Sequence, residues 1–314
     1  MDTKTIILLI TGLIFLLASG KFLVESSVVI ARHFKIPTSI IGLTIVSLGT
    51  SAPELLVSIQ AAIQGHPDMA VGNVIGSNIS NILLVLALTA IIFPLVVQKE
   101  SIVHDWPIMM FVTILLAFFL MDMEVKQWEG IVFIGILLAY ILYSIVRSRR
   151  RPDHQKENSS DENYRWEVAI LIFLVSCAGL AFGADLLVDN ASKLASHIGV
   201  SERVISITMV ALGTSLPELA TSIIAAFKKQ TEISIGNILG SNMMNILAVL
   251  GITSIIKPIQ TVDEVMQMDV PWMLGTAILL LLFMLPARKG RISRLEGIIM
   301  VAAYTSYIYI IFMS

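Results

Sequence analysis

The sequence predicts an all-α polytopic membrane protein with ten transmembrane helices, arranged as two inverted five-helix repeats. The first observation is composition: 56% of the 314 residues are hydrophobic, only 14% are charged, and the mean hydropathy is +0.86. Soluble domains carry about 25% charged residues. The second observation is a series of apolar runs, each near the roughly 20 residues that a bilayer core requires. The third is a sequence repeat at constant spacing.

The apolar runs are joined by short connections, with one exception. Residues 148–165 are polar, and we predict a cytoplasmic linker there, between a first repeat at 1–147 and a second at 166–314. The run near Thr5 lacks the basic start of a signal peptide, so we interpret it as a retained helix. The predicted spans are approximately 5–24, 36–63, 69–95, 105–121, 128–147, 166–187, 200–227, 232–258, 268–286 and 295–313.

The distribution of basic residues predicts the orientation. Sixteen of the 21 Lys and Arg residues fall in odd-numbered loops, which leaves five for the even-numbered loops and the termini. Cytoplasmic loops carry an excess of Lys and Arg. We therefore expect a multi-pass cell-membrane protein whose two termini are both extracellular.

The internal repeat has an offset of 164 residues. TIVSLGTSAPELLVSIQAA from Thr44 matches TMVALGTSLPELATSIIAA from Thr208 at 13 of 19 positions. GNVIGSNISNILLVL from Gly72 matches GNILGSNMMNILAVL from Gly236 at 10 of 15 positions. Because five helices is an odd number, the second copy would enter the membrane from the opposite side. Inverted repeats are typical of secondary transporters, whose sites lie near the midplane; a duplicated scaffold without transport is the alternative.

Glu54 and Glu218 are the only charged residues predicted to lie deep within the spans, at equivalent repeat positions. A charge at mid-bilayer costs several kcal/mol, so it faces a cavity or a partner. No Lys or Arg is predicted at that depth. One such Glu could be structural or protonated, whereas an equivalent pair favours a cation site.

The residues around each Glu offer oxygen ligands. Pro53 and Pro217 each precede a Glu, and a proline within a helix frees backbone carbonyls one turn earlier. On the next helix of each repeat a polar residue recurs every four positions, which puts these residues on one face. Interhelical hydrogen bonding is the alternative role for such residues, and it stays open for Asn73 and Asn237. The candidate ligands are Ser47, Thr50, Glu54, Ser77, Asn81, Ala211 through its carbonyl, Thr214, Glu218, Ser241 and Asn245.

This ligand set indicates a hard cation. Ca²⁺ takes six to eight oxygen ligands in flexible geometry. The set contains no thiol or imidazole, which argues against Zn²⁺ and Cu. Na⁺ also accepts oxygen ligands. Two ionised Glu residues would neutralise one Ca²⁺, whereas three Na⁺ would leave one net positive charge and make such an exchange electrogenic.

The paired motifs GTSAPEL…GNVIGSNISN and GTSLPEL…GNILGSNMMN closely resemble the two alpha repeats of the sodium/calcium exchanger family, part of the Ca²⁺:cation antiporters. The resemblance implies ten helices, external termini and four cation sites that share two glutamates. It also implies that helices one and six slide across the other eight. By that resemblance Glu54 and Glu218 are the shared carboxylates, and Asn81 and Asn245 form the middle site. The flanking Na⁺ sites would use Thr50, Ser77, Thr214 and Ser241 with the backbone oxygens of Ser47 and Ala211.

One departure from the family pattern concerns the middle site. Several family members carry Asp at one or both of these positions, where this chain has Asn81 and Asn245. The formal charge of the site is then that of two carboxylates, and stoichiometry and driving ion stay open.

We therefore expect a Na⁺/Ca²⁺ antiporter rather than an enzyme. The alternatives are a Ca²⁺/H⁺ or broader cation/proton antiporter at the same site, and a passive cation channel or membrane scaffold. We expect membrane lipid, Ca²⁺ and Na⁺ (with H⁺ open) as partners, no resident cofactor, no nucleic acid and a monomer.

Overall fold

The computed structural model describes residues 3–34, 36–149, 165–197, 202–285 and 290–313. Most of the predicted linker, residues 150–164, lies outside these ranges. The described chain is mainly helical. The α-helices are α1 (Thr3–His33), α2 (Thr38–Ile41), α3 (Ser47–Thr50), α4 (Ala52–Gln64), α5 (Pro67–Ser80), α6 (Ala87–Ile92), α7 (Trp106–Phe119), α8 (Gln127–Arg149), α9 (Trp166–His197), α10 (Glu202–Phe227), α11 (Thr231–Met244), α12 (Gly251–Ile256), α13 (Val270–Met284) and α14 (Arg294–Met313).

Eight continuous helical segments in the described residues are long and apolar enough to cross a membrane, and a bent pair gives a ninth. The bent pair joins Gly42–Thr50 to Ala52–Gln64 at 51° and corresponds to the predicted span 36–63. The remaining predicted span, 200–227, corresponds to α10. The side chains of residues 201–212 in that span lie outside the description.

Two of the candidate spans form the centre of the molecule. In Pro67–Ile92 and Thr231–Ile256, 72% and 89% of the most apolar window is buried, against 28–33% in the other six continuous spans. Those outer spans expose large apolar side chains such as Leu142 and Val175. Exposed apolar surface of this extent is expected where lipid is the solvent.

π-Helical segments occur at matching places in the two halves. Asn81–Leu86 matches Asn245–Leu250, and Ser101–Asp105 matches Val265–Asp269, both at the 164-residue offset. A further π-segment, Gly42–Val46, has no counterpart, because the equivalent residues belong to the α-helix α10. π-Bulges are frequent at functional sites, and the first matched pair begins at two of the candidate ligands.

Four two-residue strands fasten the halves together: β1 (Leu95–Val96), β2 (Glu124–Val125), β3 (Ile259–Gln260) and β4 (Arg291–Ile292). The pairings are antiparallel and cross between the halves, β1 with β4 and β2 with β3. Each pair is extended by an equivalent backbone hydrogen bond, Val97 N–H to Gly290 O at 2.8 Å and Thr261 N–H to Met123 O at 2.9 Å. We call these two strand pairs the strand clips; they are reciprocal, because each joins one strand from each half.

Candidate functional site

The two predicted glutamates lie at the centre of the protein, on helices with different backbones. Glu54 is in the first turn of α4, directly after the break at Ser51, with Pro53 at the start of that helix. Glu218 is in α10, which continues through Pro217. Both Glu side chains are fully buried, at 0% exposure.

The Glu218 carboxylate receives hydrogen bonds from both halves of the chain. Its Oε1 accepts from the Ser51 hydroxyl at 3.2 Å and from the Ser241 hydroxyl at 3.3 Å. Its Oε2 has no partner among the described residues. One carboxylate oxygen is therefore oriented by hydroxyl groups, and the other is available to a ligand.

Glu54 is less well satisfied. Neither of its carboxylate oxygens has a hydrogen-bond partner of normal geometry in the described part of the chain. The Thr214 hydroxyl lies beside it, and Glu218 is within electrostatic range. No described Lys or Arg forms an ion pair with either Glu. A buried charge without a partner is strongly unfavourable, so this pair requires a cation or a proton.

The predicted hydroxyl residues meet in matched pairs across the halves. Thr50 Oγ1 is 3.4 Å from Ser241 Oγ, and its counterpart Thr214 Oγ1 is 3.4 Å from Ser77 Oγ. All four side chains are buried. One pair therefore joins α3, which directly precedes the Glu54-bearing helix, to α11, and the other joins the Glu218-bearing helix α10 to α5.

The two predicted carbonyl ligands are less fully characterised. The Ser47 carbonyl accepts from the Ser51 N–H at 2.9 Å and from the Thr50 hydroxyl at 3.3 Å, and the Ser47 hydroxyl donates to the Leu43 carbonyl at 2.9 Å. A carbonyl oxygen has two lone pairs, so a cation at this carbonyl would take the place of the Thr50 hydroxyl. Ala211 lies in α10, and its side chain is outside the described part.

Asn81 and Asn245 are both fully buried. Neither polar atom of the Asn81 side chain has a hydrogen-bond partner among the described residues, and Asn245 Oδ1 also lacks one. Buried amide atoms normally find partners. The two amide oxygens, Asn81 Oδ1 and Asn245 Oδ1, are consequently available to a cation.

Asn73 and Asn237 act as interhelical links. Asn73 Nδ2 donates to Ser58 Oγ at 3.0 Å, and Asn237 Nδ2 donates to Ser222 Oγ at 3.2 Å. These are equivalent bonds between neighbouring helices in each half. Each asparagine also contacts a Glu-bearing segment, since Asn73 Nδ2 donates to the Glu54 carbonyl at 3.3 Å and Asn237 Oδ1 accepts from the Thr50 hydroxyl at 3.2 Å. The structural interpretation is therefore favoured for Asn73, whereas Asn237 also orients a candidate ligand.

Sequence reasoning missed three polar residues that the structure brings to the centre: Ser51, Asn78 and Asn242. Ser51 bonds to Glu218, and the two asparagines bond to each other's backbone. The signal was available, because the Ser lies in the repeated GTS motif and the Asn in the repeated GSN motif.

The chemistry of the site is that of two carboxylates among neutral oxygens. In the described residues, no group of three or more His, Cys, Asp or Glu side chains is arranged to hold a metal. A site with only two negative charges and many neutral oxygen donors suits exchangeable hard cations better than a permanently bound transition metal.

Comparison with known proteins identifies relatives along the whole chain. The sequence profile described as "Sodium/calcium exchanger protein" matches residues 4–146 and 168–313. A candidate antiporter named CaxA from Alkalimonas amylolytica is 39% identical, with 98% of each chain covered. The sodium/calcium exchanger MaX1 from Methanosarcina acetivorans is 29% identical, with 99% of each covered.

A solved structure also matches. The sodium-calcium exchanger NCX_Mj, soaked with Na⁺ and Ca²⁺, superposes with a TM-score of 0.82 and 31% identity, covering 98% of this chain and 99% of that one. The match therefore extends from sequence motifs to the complete helical arrangement. Because the family profile spans both halves and such relatives match from end to end, the chain belongs to the sodium/calcium exchanger family of integral membrane antiporters.

Proposed function

We propose that this protein is a secondary active antiporter that exchanges Ca²⁺ for Na⁺ by alternating access, with the ions bound between Glu54 and Glu218. The observation that carries the proposal is the buried carboxylate pair, which has no basic partner among the described residues. A bound cation offsets the free energy of burying these charges.

The proposed ligands come from both halves, so ion binding and the relative arrangement of the halves are coupled. Charge balance at the site favours exchange. One Ca²⁺ neutralises the two carboxylates, whereas more than two Na⁺ would give the occupied site a net positive charge. MaX1 and NCX_Mj, whose names state sodium/calcium exchange, support this choice of ions. The proposed set is Glu54, Glu218, Thr50, Thr214, Ser77, Ser241, Asn81, Asn245, Ser51 and the backbone oxygens of Ser47 and Ala211.

The proposed architecture has ten spans in two inverted repeats, with both termini outside. The constant 164-residue offset, the matched π-segments and the reciprocal clips all support a two-fold relation between the halves. Ser159, in the predicted linker, tests the orientation. In a Cys177→Ala background, Ser159→Cys should react with a membrane-impermeant thiol reagent only after the cytoplasmic face is opened; labelling of intact cells would reverse the assignment.

The driving ion is tested in proteoliposomes. Purified protein should take up radioactive Ca²⁺ when an outward Na⁺ gradient is imposed, and uptake should generate a membrane potential if more than two Na⁺ exchange per Ca²⁺. A proton gradient that drives uptake without Na⁺ would instead favour the cation/proton antiporter. Ca²⁺ uptake that needs no counter-ion and does not saturate would indicate a channel.

A further inference from the structure

Two buried asparagines cross the centre of the molecule and bind each other's backbone. Asn78 Nδ2 donates to the Asn242 carbonyl at 3.2 Å, and Asn242 Nδ2 donates to the Asn78 carbonyl at 3.3 Å. The same nitrogens contact the sulphur atoms of Met273 and Met109, at 4.0 and 3.9 Å. The two side chains are therefore held in equivalent ways, at 2% and 3% exposure.

The oxygens of the same two amides differ. Asn78 Oδ1 accepts a hydrogen bond from Asn245 Nδ2 at 3.1 Å. The equivalent bond would run from Asn81 Nδ2 to Asn242 Oδ1, and both of these atoms lack a partner among the described residues. Of the two candidate asparagine ligands, only Asn245 is therefore fixed by a neighbour of this kind.

This bond decides which end of the Asn245 amide is free. The oxygen and nitrogen of an amide have nearly the same shape, and hydrogen bonding determines their orientation. Because Asn78 Nδ2 is engaged by a backbone carbonyl, Asn78 presents its oxygen to Asn245. An amide oxygen can only accept a hydrogen bond, so Asn245 must turn its NH₂ group toward Asn78. Asn245 Oδ1 is then left without a hydrogen bond among the described residues.

The free oxygen belongs to the side chain that sits next to the proposed ions. Asn245 follows Ser241 by one helical turn, on the same face, and the Ser241 hydroxyl donates to Glu218. A cation is attracted by an amide oxygen and repelled by an amide NH₂ group. An Asn245 side chain turned the other way would lose a ligand and add a repulsion.

We propose that Asn78 is a positioning residue: by accepting a hydrogen bond from Asn245, it makes Asn245 present its oxygen to the transported cation. This inference rests on the proposed function, since it assumes that cations bind beside Glu218. It also assigns unequal roles to Asn78 and Asn242, the asparagines of the two GSN motifs. Asn242 Oδ1 accepts no hydrogen bond from Asn81 in this conformation.

The test compares Asn78→Ala with its matched control, Asn242→Ala. Both changes remove one bond to a backbone carbonyl and one sulphur contact, so their effects on folding should be similar. Only Asn78→Ala releases Asn245. We expect Asn78→Ala to raise the half-saturating cation concentration about fivefold and Asn242→Ala at most about twofold, since one hydrogen bond contributes roughly 1 kcal/mol.

The readouts are the rise in melting temperature of the purified full-length protein on adding NaCl or CaCl₂, with choline chloride as the reference, and ion flux in proteoliposomes. A double-variant cycle adds specificity: in an Asn245→Ala background, Asn78→Ala should cause no further loss of cation affinity. If Asn78→Ala does not yield folded protein, Asn245→Ala should still weaken cation binding more than Asn81→Ala does.

Each outcome separates the inference from the proposed function. Equal effects of Asn78→Ala and Asn242→Ala, or additive effects of Asn78→Ala and Asn245→Ala, would overturn the inference while Na⁺/Ca²⁺ exchange stands. Cation stabilisation that depends on Asn78, without any Na⁺/Ca²⁺ exchange, would support the inference and overturn the proposed function. A protein that neither cation stabilises would overturn both.

Discussion

The two glutamate-bearing segments have nearly the same sequence and different backbones. In the first half the segment bends by 51° at Ser51 and contains a π-segment before the bend. In the second half the equivalent residues form one helix, α10, with Pro217 inside it. A proline at the same place in both motifs therefore does not by itself dictate the bend.

The packing around the two central helices, α5 and α11, also differs between the halves. A Cβ added at Gly240 would lie 2.6 Å from the Leu43 carbonyl oxygen and 2.7 Å from Ser47 Oγ, so α11 is pressed against the bent segment. A Cβ added at the equivalent Gly76 would meet no atom within 4 Å. The first segment is closed over the centre, whereas at Gly76 none of the described residues makes the corresponding contact.

This comparison shows that one motif adopts two different backbones within the same protein. Thirteen of 19 residues are identical, so neighbouring contacts rather than local sequence select the backbone. A transporter needs two such states of similar free energy. The following experiments, from the largest expected effect to the smallest, test whether the halves are equivalent in function despite this difference.

Removing either carboxylate should have the largest effect. Glu54→Gln and Glu218→Gln preserve size but halve the negative charge of the site, and we expect each to lower Na⁺-driven Ca²⁺ uptake roughly 100-fold or more, since charge interactions are strong at low dielectric. Glu124→Gln, at a half-exposed position, is the matched control. Near-normal uptake in either deep variant would refute the shared site.

The glycine pair tests this packing difference directly. Gly240→Ala forces a methyl group against backbone atoms and should destabilise the protein by about 1–3 kcal/mol, as overpacking does. Gly76→Ala should leave the melting temperature unchanged. If the halves exchange conformations, Gly76→Ala should nevertheless slow transport, because its face must close in the other state; full transport activity in that variant would argue against the exchange.

Ser51 and Ser215 occupy equivalent motif positions with different partners. Ser51 donates to Glu218, whereas Ser215 Oγ is 2.7 Å from Ser80 Oγ. Hydrogen bonds to charged groups are worth about 1.5–3 kcal/mol and neutral ones about 1. Ser51→Ala should therefore raise the half-saturating Ca²⁺ concentration at least about tenfold and Ser215→Ala at most about fivefold in the flux assay. A larger effect of Ser215→Ala than of Ser51→Ala would mean that transport is limited by a conformation in which the two halves have exchanged their backbones.

The smallest effects are expected at Asn73 and Asn237. Asn73→Ala and Asn237→Ala each remove an interhelical hydrogen bond to a serine, which should cost about 1 kcal/mol of stability and lower the melting temperature slightly. Cation affinity should not change in Asn73→Ala, and it should fall less in Asn237→Ala than in Ser51→Ala, because Asn237 contacts the ion site only through the Thr50 hydroxyl. A loss of affinity as large as that of Ser51→Ala would reassign these asparagines to the ion site.

The sequence predicted the parts that depend on one helix at a time. Burial of Glu54 and Glu218 followed from hydropathy, and the repeat named the paired hydroxyl residues. The bend, the π-segments and the contact between Asn78 and Asn242 depend on how helices from different halves rotate against each other, which periodicity does not report. Glu129 is a local exception: its place at the start of the predicted span 128–147 implies exposure, whereas the structure buries it.

In the structure Glu129 is 3% exposed and accepts a hydrogen bond from the Lys126 N–H at 2.8 Å. It therefore satisfies a backbone donor at the start of α8, as a capping residue does. The spacing of three residues between Lys126 and Glu129 is the signal that could have revealed it. Glu129 is accordingly unsuitable as a silent control.

The reciprocal strand clips have a consequence for biogenesis. While the ribosome is still making the second half, the newly inserted first half carries β1 and β2 with unpaired edges, because both partners, β4 and β3, are synthesised later. Strands of two residues are too short to pair strongly with other chains, so these edges stay unpaired until the second half supplies their partners. The same dependence means that two halves made as separate polypeptides, divided within residues 150–164, carry complementary edges and should recognise each other in the membrane.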